Sequence, residues 1–470
     1  MDEYFATFLG LAIIAHILLF SLGNQSIKLP VTVFSLSYFV TTVIGATIIG
    51  TEPGYFFWTS VTFIYHDFSV LKITTGFKYW FLLYSPLFIP QFTAFLLVLL
   101  LGRYKLESSF LPKLHLLIPS RISPLVFFIS FSILSFLCIG ELFVRGLGFH
   151  IFNLSGSSDY EELIFSRNTV FMSLSNFYFG MAYIGLPVLL TFSSVCYVKN
   201  HSISWLGNTF FSGAMTAIIH LSTIQKASMV IVAIMMLVGM ALIQTLSLKR
   251  ILIVGGMAVA FLAMSYSFVG VVDNDLGSII GLAIFQIIFR MANAFPYYAN
   301  VFPDTLSFSG LNYGFGLLGI GVRNDETQLI YDIMSTEKTV IQGNMPQAFH
   351  LLSGYVVDGY PGMILVELLL GVYFFLLAQA IAGVKKPLSI AIIAHLVMVG
   401  YYLSQAGIVQ VVMQSWSICW VFISVATLVG VHTLIGGTRP TRRLVRLTQA
   451  TGKRFLARRF LWGRAISQRY

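Results

Sequence analysis

The sequence predicts an all-α, polytopic integral membrane protein with about 11 to 12 transmembrane helices and one large loop on the non-cytoplasmic side. Of its 470 residues, 57% are hydrophobic and only 10% are charged, and the mean hydropathy is +0.85. A water-soluble domain has roughly a quarter of its residues charged. The chain is therefore expected to be solvated by lipid. Its three cysteines all fall inside apolar runs and predict neither a disulfide framework nor a zinc cluster.

Eleven runs of mostly apolar residues are each long enough to cross the hydrocarbon core, which needs about 20 residues. They lie near residues 4–23, 31–50, 80–101, 122–142, 171–198, 205–224, 227–247, 251–270, 358–382, 388–405 and 414–436. A twelfth span arises if Tyr55–Leu71 also crosses. Ser278–Phe295 contains Arg290, and a crossing there would move Lys385 and Lys386 outside. It is therefore expected to form an interfacial or re-entrant helix on the outer side.

Basic residues orient these spans, because short cytoplasmic loops carry the excess of Lys and Arg. With the N-terminus outside and the C-terminus inside, 20 of the 28 basic residues fall on the cytoplasmic side. Eight fall elsewhere: Lys72, Lys78, Arg145, Arg167, Lys226, Arg290, Arg323 and Lys338. In this topology Pro296–Val357 is the one long polar loop between spans, and it lies on the outer side. Loops of that length are usually functional.

The chain divides into a single transmembrane domain, 1–436, and a basic cytoplasmic tail, 437–470. The tail holds ten basic residues and no acidic one, so the remaining 18 basic and 18 acidic residues balance. The net charge of +10 is therefore a property of the tail and does not indicate a nucleic-acid partner. Apolar groups at roughly helical spacing suit an amphipathic helix on an anionic leaflet. The simpler alternative is a positive-inside anchor.

Four of the outer cations are candidates for ligand binding. A cation at a membrane boundary costs several kcal/mol unless it pairs with an anion. The structural alternatives are snorkelling or an internal salt bridge, such as Arg167 with Glu161 or Glu162. Several cations on one side favour a phosphate or pyrophosphate ligand held by guanidinium forks and an ammonium charge. These candidates are Arg167, Lys226, Arg290 and Arg323. No metal-ligand spacing occurs, and no cofactor is predicted.

A second group of candidates follows the long loop. Asp358-Gly359 is predicted to make a turn, and Gly362 to permit close helix packing. His350 and Asp358 are titratable groups expected at the outer membrane surface, although a lone histidine is more often structural. Two acidic neighbours of Arg323 are further catalytic candidates: Asp325 and Glu326.

This segment resembles that of the Wzy-type O-antigen or repeat-unit polymerases. It has Pro346, a tyrosine, Asp358-Gly359-x-x-Gly362 and an apolar run with a further glycine. The setting of Lys226, before a very apolar helix, and of Arg167, ahead of a span, is similar too. The resemblance covers roughly residues 160–385 and is a pattern of short motifs. The related O-antigen ligases have a histidine close before a similar turn, as His350 is here.

The resemblance implies a metal-independent glycosyltransferase at the periplasmic face of the bacterial inner membrane. Its substrate would be an oligosaccharide repeat unit carried on undecaprenyl pyrophosphate. The growing chain would leave its lipid pyrophosphate for a hydroxyl of the incoming unit, with cations stabilising the leaving group and Asp358 or His350 aligning the hydroxyl. The implied partners are this lipid-linked oligosaccharide, the bilayer and a chain-length regulator protein.

Two alternatives stay open. The first is an O-antigen ligase, with the same chemistry and a lipid A-core acceptor. The second is a flippase or transporter of lipid-linked oligosaccharides. Transporters favour repeated halves and polar residues at helix midpoints. The sequence shows no such repeat, and Glu141 and Glu367 lie nearer the ends of their predicted helices, which favours the enzyme.

Overall fold

The computed structural model describes a helical bundle. The described residues are 3–22, 25–54, 76–101, 122–145, 173–222, 226–243, 256, 281, 288–289, 291–304, 307–308, 348–382, 384, 386–408, 411 and 418–435. No strand occurs among them. An all-helical backbone is what a lipid environment demands, because each backbone N–H and C=O must find its partner within the protein.

The described residues form fourteen α-helices, numbered in chain order. They are α1 Glu3–Ser21, α2 Gln25–Tyr38, α3 Ile44–Ile49, α4 Phe77–Tyr84, α5 Ile89–Leu101, α6 Pro124–Val144, α7 Asn176–Gly180, α8 Leu186–Asn200, α9 Ile203–Ser222, α10 Lys226–Ala241, α11 Phe295–Val301, α12 Val356–Ala382, α13 Pro387–Leu403 and α14 Cys419–Ile435. Three π-helical turns and one 3₁₀ turn join several of them into longer rods. These turns are Phe39–Val43, Met181–Gly185, Leu351–Tyr355 and Ser85–Leu87.

The predicted fold class is confirmed. Six described helical stretches are long and apolar enough to cross a membrane: Glu3–Ser21, Ser26–Ile49, Phe77–Leu101, Pro124–Val144, Asn176–Asn200 and Leu351–Ala382. Ten of the eleven apolar runs predicted from the sequence coincide with described helices. Apart from Gly256, the remaining run, 251–270, lies outside the described residues. The candidate twelfth span, Tyr55–Leu71, and the basic tail also lie outside them.

The helices pack in two groups joined by α13. One group contains α1, α2, α4, α5 and α12, and the other contains α6, α8, α9, α10 and α14. Helix α13 packs on α2 and α12 on one side and on α8 and α10 on the other.

Glycines allow the helices of the second group to approach one another closely. A Cβ atom at Gly180 would lie 2.0 Å from the Trp420 ring, and one at Gly185 would lie 2.5 Å from Ser424 Oγ. Small residues at such contacts are typical of membrane helices.

Both ends of the long predicted loop are folded into the bundle. Helix α11 is almost wholly buried, and Phe295 meets Tyr79 of α4 edge to face at 5.1 Å between ring centroids. Just before it, Ile288 packs on α3 so closely that a Cβ at Gly45 would lie 2.4 Å from the Ile288 carbonyl oxygen. The described part of Ser278–Phe295 therefore contacts the helices directly. Its side of the membrane remains a prediction.

Glu141 near the end of α6 anchors the start of α7. Its Oε1 accepts the Ser175 backbone N–H at 2.6 Å, and its Oε2 accepts the Ser175 hydroxyl at 2.8 Å. The Ser175 oxygen in turn caps α7 by accepting the Tyr178 N–H at 3.2 Å. Both carboxylate oxygens are therefore satisfied by donors, as an ionised carboxylate requires. One serine thus links the end of α6 to the start of α7.

A Ser175→Ala variant is expected to lose more stability than the loss of a helix cap alone would cause. A serine cap contributes about 1 kcal/mol, and a hydrogen bond to a charged group contributes about 1.5–3 kcal/mol. Ser123→Ala is the matched control, because Ser123 caps α6 through the Val126 N–H. The thermal midpoint in detergent should fall further for Ser175→Ala than for Ser123→Ala. Equal falls would remove Glu141 from the explanation.

Candidate functional site

A cavity of about 410 Å³ opens where the chain turns at Asp358 and Gly359. Its lining combines one cation, two carboxylates and three aromatic rings. These are Lys78, Asp304, Asp358, Phe308, Tyr355 and Tyr360. They come from α4, from the segment after α11, and from the π-helical turn before α12 together with the Asp358-Gly359 turn. Each of these three segments was placed on the outer side by the predicted topology.

The turn at Asp358 and Gly359 reverses the chain. Asp358 has φ −146° and ψ 28°, and Gly359 has φ 62° and ψ −143°, so neither residue is helical. The backbones on either side of the turn then touch. A Cβ at Gly354 would lie 2.7 Å from Met363 Cα, and one at Gly362 would lie 2.6 Å from the Gly354 carbonyl oxygen. The predicted turn and the predicted close packing at Gly362 are both confirmed.

Lys78 holds the other wall of the cavity in place. Its Nζ donates to the carbonyl oxygen of Phe302 and lies 3.8 Å from Asp304 Oδ2. The same ammonium lies 5.9 Å from the centre of the Tyr355 ring, within cation–π range. The Tyr355 hydroxyl also donates to the Phe302 carbonyl, at 3.0 Å. One backbone oxygen thus connects α4, the segment after α11 and the chain before the turn.

The aromatic rings form a continuous series along the cavity. The Tyr355 ring lies 5.6 Å from that of Phe308 and 5.6 Å from that of Tyr360, and Tyr360 lies 5.7 Å from Phe81. Phe308 also covers the turn, because a Cβ at Gly359 would lie 3.0 Å from its ring. Ring faces with nearby hydroxyls and carboxylates are the kind of surface on which a polyhydroxyl ligand can stack and hydrogen-bond.

One of the two carboxylates that line the cavity is in an ion pair, and the other is not. Lys78 and Asp304 form an ion pair, and their side chains are 31% and 78% exposed. Asp358 is exposed, and the described residues give it no hydrogen-bond donor. The three charges sum to one negative charge. The cavity therefore suits neutral hydroxyl groups better than a pyrophosphate, which would be repelled by the unpaired carboxylate.

His350 lies inside the bundle and is fully buried, whereas the sequence placed it at the outer surface. Pro86 has no N–H to donate, so the Leu82 carbonyl loses its helical partner. His350 Nε2 lies 3.0 Å from that carbonyl oxygen and supplies the missing donor. The Tyr38 hydroxyl donates to the next carbonyl, that of Leu83, at 3.0 Å. This position gives His350 a structural task at a helix break, and its catalytic role stays a prediction.

Most of the other predicted site residues lie outside the described residues. Helix α10 begins at Lys226, as predicted, but the Lys226 side chain lies outside the described residues. Five more fall outside them entirely: Arg167, Arg290, Arg323, Asp325 and Glu326. Of the predicted site, the described residues bring Asp358 to the cavity. The proposed pyrophosphate-binding group stays a prediction.

Sequence reasoning missed most of the residues that line the cavity with Asp358. Lys78 was recognised as an outer cation but not singled out, although it lies in the loop-facing turn of a span. Asp304 and Phe308 follow a short buried helix and carry no motif. The useful signal would have been the position of Lys78 and Asp358, each at the predicted outer end of an apolar run.

Comparison with known proteins adds no relative: no family model, no curated protein and no solved structure matches this chain.

Proposed function

We propose that this protein is a glycosyltransferase that joins undecaprenyl-pyrophosphate-linked oligosaccharide repeat units into a surface polysaccharide. The observation that carries the proposal is the cavity at the Asp358-Gly359 turn. It lies next to the long loop, it is lined by aromatic rings in edge-to-face contact, and it presents a carboxylate without a described partner. The reaction would take place at the periplasmic face of the inner membrane and would need no metal.

The cavity suits the acceptor sugar of this reaction. The accessible rings of Tyr360 and Phe308 would stack on the sugar, and Asp358 would accept a hydrogen bond from its reacting hydroxyl. That hydroxyl oxygen attacks the anomeric carbon of the donor, whose bond to the pyrophosphate oxygen breaks. The hydroxyl proton passes to Asp358, and the pyrophosphate leaves with the bonding electrons.

The leaving pyrophosphate needs positive charge that the cavity does not supply. Lys78 is already paired with Asp304, and Asp358 is negative. The four predicted cations, from other outer segments, would meet this requirement if they lie together beside the cavity. Acceptor and leaving group would then occupy two neighbouring subsites of opposite charge. Such preorganised charge is commonly the largest contribution to transition-state stabilisation.

The direct test is polymer formation by the purified protein in detergent with the lipid-linked repeat unit as its only substrate. Products longer than one unit, resolved by electrophoresis, are the expected result. An added lipid A-core acceptor separates the polymerase from the ligase, which would attach single units to it. A purified, folded protein that forms neither product would contradict the glycosyltransferase proposal.

In that assay we expect alanine at each of four positions to abolish polymer formation while the protein still folds. They are Arg167, Lys226, Arg290 and Arg323. Arg290→Lys and Arg323→Lys should also be impaired, because an ammonium cannot reproduce a bidentate fork. Arg145→Ala is the matched control, since Arg145 is another predicted outer cation and is exposed at the end of α6. Unchanged yield and chain length in all four alanine variants would refute the pyrophosphate site.

The transporter alternative is kept because of one specific observation, the fully buried carboxyl of Glu367 within α12. Ionisable groups inside the membrane often mark ion pathways. A transporter moves its substrate between two compartments and makes no new bond. It would give no longer product in detergent, yet it would move a labelled lipid-linked oligosaccharide across a vesicle membrane.

A further inference from the structure

Glu367 lies in the interior of the bundle with half of its carboxyl group unpartnered. It is two turns, about 12 Å, beyond the turn at Gly359, and its exposed fraction is 0%. Its Oε1 accepts the Ser85 hydroxyl at 2.7 Å. Its Oε2 is buried and has no hydrogen-bond partner among the described residues. An ionised carboxylate in this position would have one satisfied oxygen and one bare oxygen in an apolar setting.

No described cation balances a negative charge at Glu367. The elements packed on α12 present neutral hydroxyl and imidazole groups, namely Tyr38 on α2, His350 before the π-helical turn and His395 on α13. Helix α5, which also packs on α12, carries no titratable side chain. Tyr79 and Tyr84 lie on α4, which ends next to Ser85. The salt bridge among the described residues, between Lys78 and Asp304, lines the cavity and does not involve Glu367. Burying an ionised carboxylate without a counter-charge costs several kcal/mol, and such groups neutralise by taking up a proton.

Glu141 provides a direct contrast within the same chain. Both of its oxygens accept hydrogen bonds from Ser175, and it is partly exposed. It has the partners of an ionised carboxylate. Among the described residues Glu367 has one hydroxyl donor and no second partner, which is the pattern of a neutral acid. Two glutamates on two apolar helices thus differ in the number of donors that reach them.

We infer that Glu367 is a proton-binding site inside the membrane, a neutral carboxylic acid whose Oε2 carries the proton. The proton is taken from water by the carboxylate and is returned to water on release. This inference does not depend on the proposed glycosyl transfer. The Ser85–Glu367 hydrogen bond joins α12, which carries Asp358, to the 3₁₀ turn that follows α4, which carries Lys78. The site thus connects the two helices that form the cavity.

Infrared difference spectroscopy tests the inference at neutral pH. The wild-type spectrum minus that of Glu367→Gln should contain the carbonyl stretch of one protonated carboxyl group. The matched control is Glu141→Gln, whose difference spectrum should contain a carboxylate signal and no such band. Absence of the protonated band from the Glu367→Gln difference would overturn the inference.

A second variant keeps the test decisive if Glu367→Gln does not accumulate. Ser85→Ala removes the single hydroxyl donor to Oε1, and a carbonyl that loses a hydrogen bond stretches at higher frequency. The protonated-carboxyl band should therefore move upward in Ser85→Ala. A spectrum in which no protonated-carboxyl band changes would show that Glu367 is ionised. Polymer formation by either variant is a separate measurement, so failure of the proton site and failure of the glycosyltransferase remain distinguishable.

Discussion

Gly359→Ala is expected to abolish activity and to lower the thermal midpoint of the protein in detergent. Gly359 has φ 62° with ψ −143°, a conformation that L-residues rarely adopt. The strain costs on the order of 1–3 kcal/mol. The new methyl group would also lie 3.0 Å from the Phe308 ring and push it from the cavity. The turn sets the position of Asp358, so a modest change in stability should cause a large loss of function.

Gly140→Ala is the matched control for this prediction. Gly140 lies within α6, and a Cβ atom there would meet nothing within 4 Å. Alanine in a helix interior is favoured over glycine by roughly 0.5–1 kcal/mol, so the control should be as stable as the wild type or slightly more stable. Full activity in Gly359→Ala would show that the turn does not position the site.

Local chemistry made the fold and the turn predictable from the sequence. Apolar runs of about 20 residues identify spans because lipid leaves few alternatives to a helix. Asp358-Gly359 indicates a turn because these residue types tolerate its backbone angles. Gly362 is small enough for two backbones to touch. Each inference needs only residues that are neighbours in the chain, and the structure confirms all three.

The rest of the cavity depends on contacts between distant segments, which no local pattern contains. Lys78 and Phe302 are separated by 224 positions, and Tyr355 and Phe302 by 53. Both donors reach the same carbonyl oxygen only after three segments have packed. His350 shows the same difficulty in reverse. Its place near a turn suggested a surface group, yet its partner is the Leu82 carbonyl, 268 positions away. That carbonyl is free because Pro86 has no N–H to donate to it.

Glu367 bears on the choice between an enzyme and a transporter. The sequence placed this residue nearer the end of its helix, and few midpoint charges favoured the enzyme. The structure buries it completely, about two turns beyond Gly359. A buried acid is compatible with both classes, because a neutral carboxyl can simply join two helices. Activity in detergent therefore separates the classes better than any count of charges within the spans.

Asp358→Asn is expected to reduce polymer formation on the order of 10²–10⁴-fold, the range that general acid–base catalysis contributes. Asparagine has nearly the same shape and is also favoured in turns, so the fold should be retained. It carries no negative charge and cannot take the proton of the acceptor hydroxyl. The loss should appear in kcat, with a smaller change in KM for the acceptor.

Asp304→Asn is the matched control, because Asp304 lines the same cavity and its carboxylate is paired with Lys78. Lys78 would keep its hydrogen bond to the Phe302 carbonyl, so the cavity should persist and the loss of activity should be much smaller. Similar losses in the two variants would mean that the cavity needs its overall charge and not a base at Asp358. Near-normal kcat in Asp358→Asn would remove Asp358 from the chemistry and leave it as a residue of the turn.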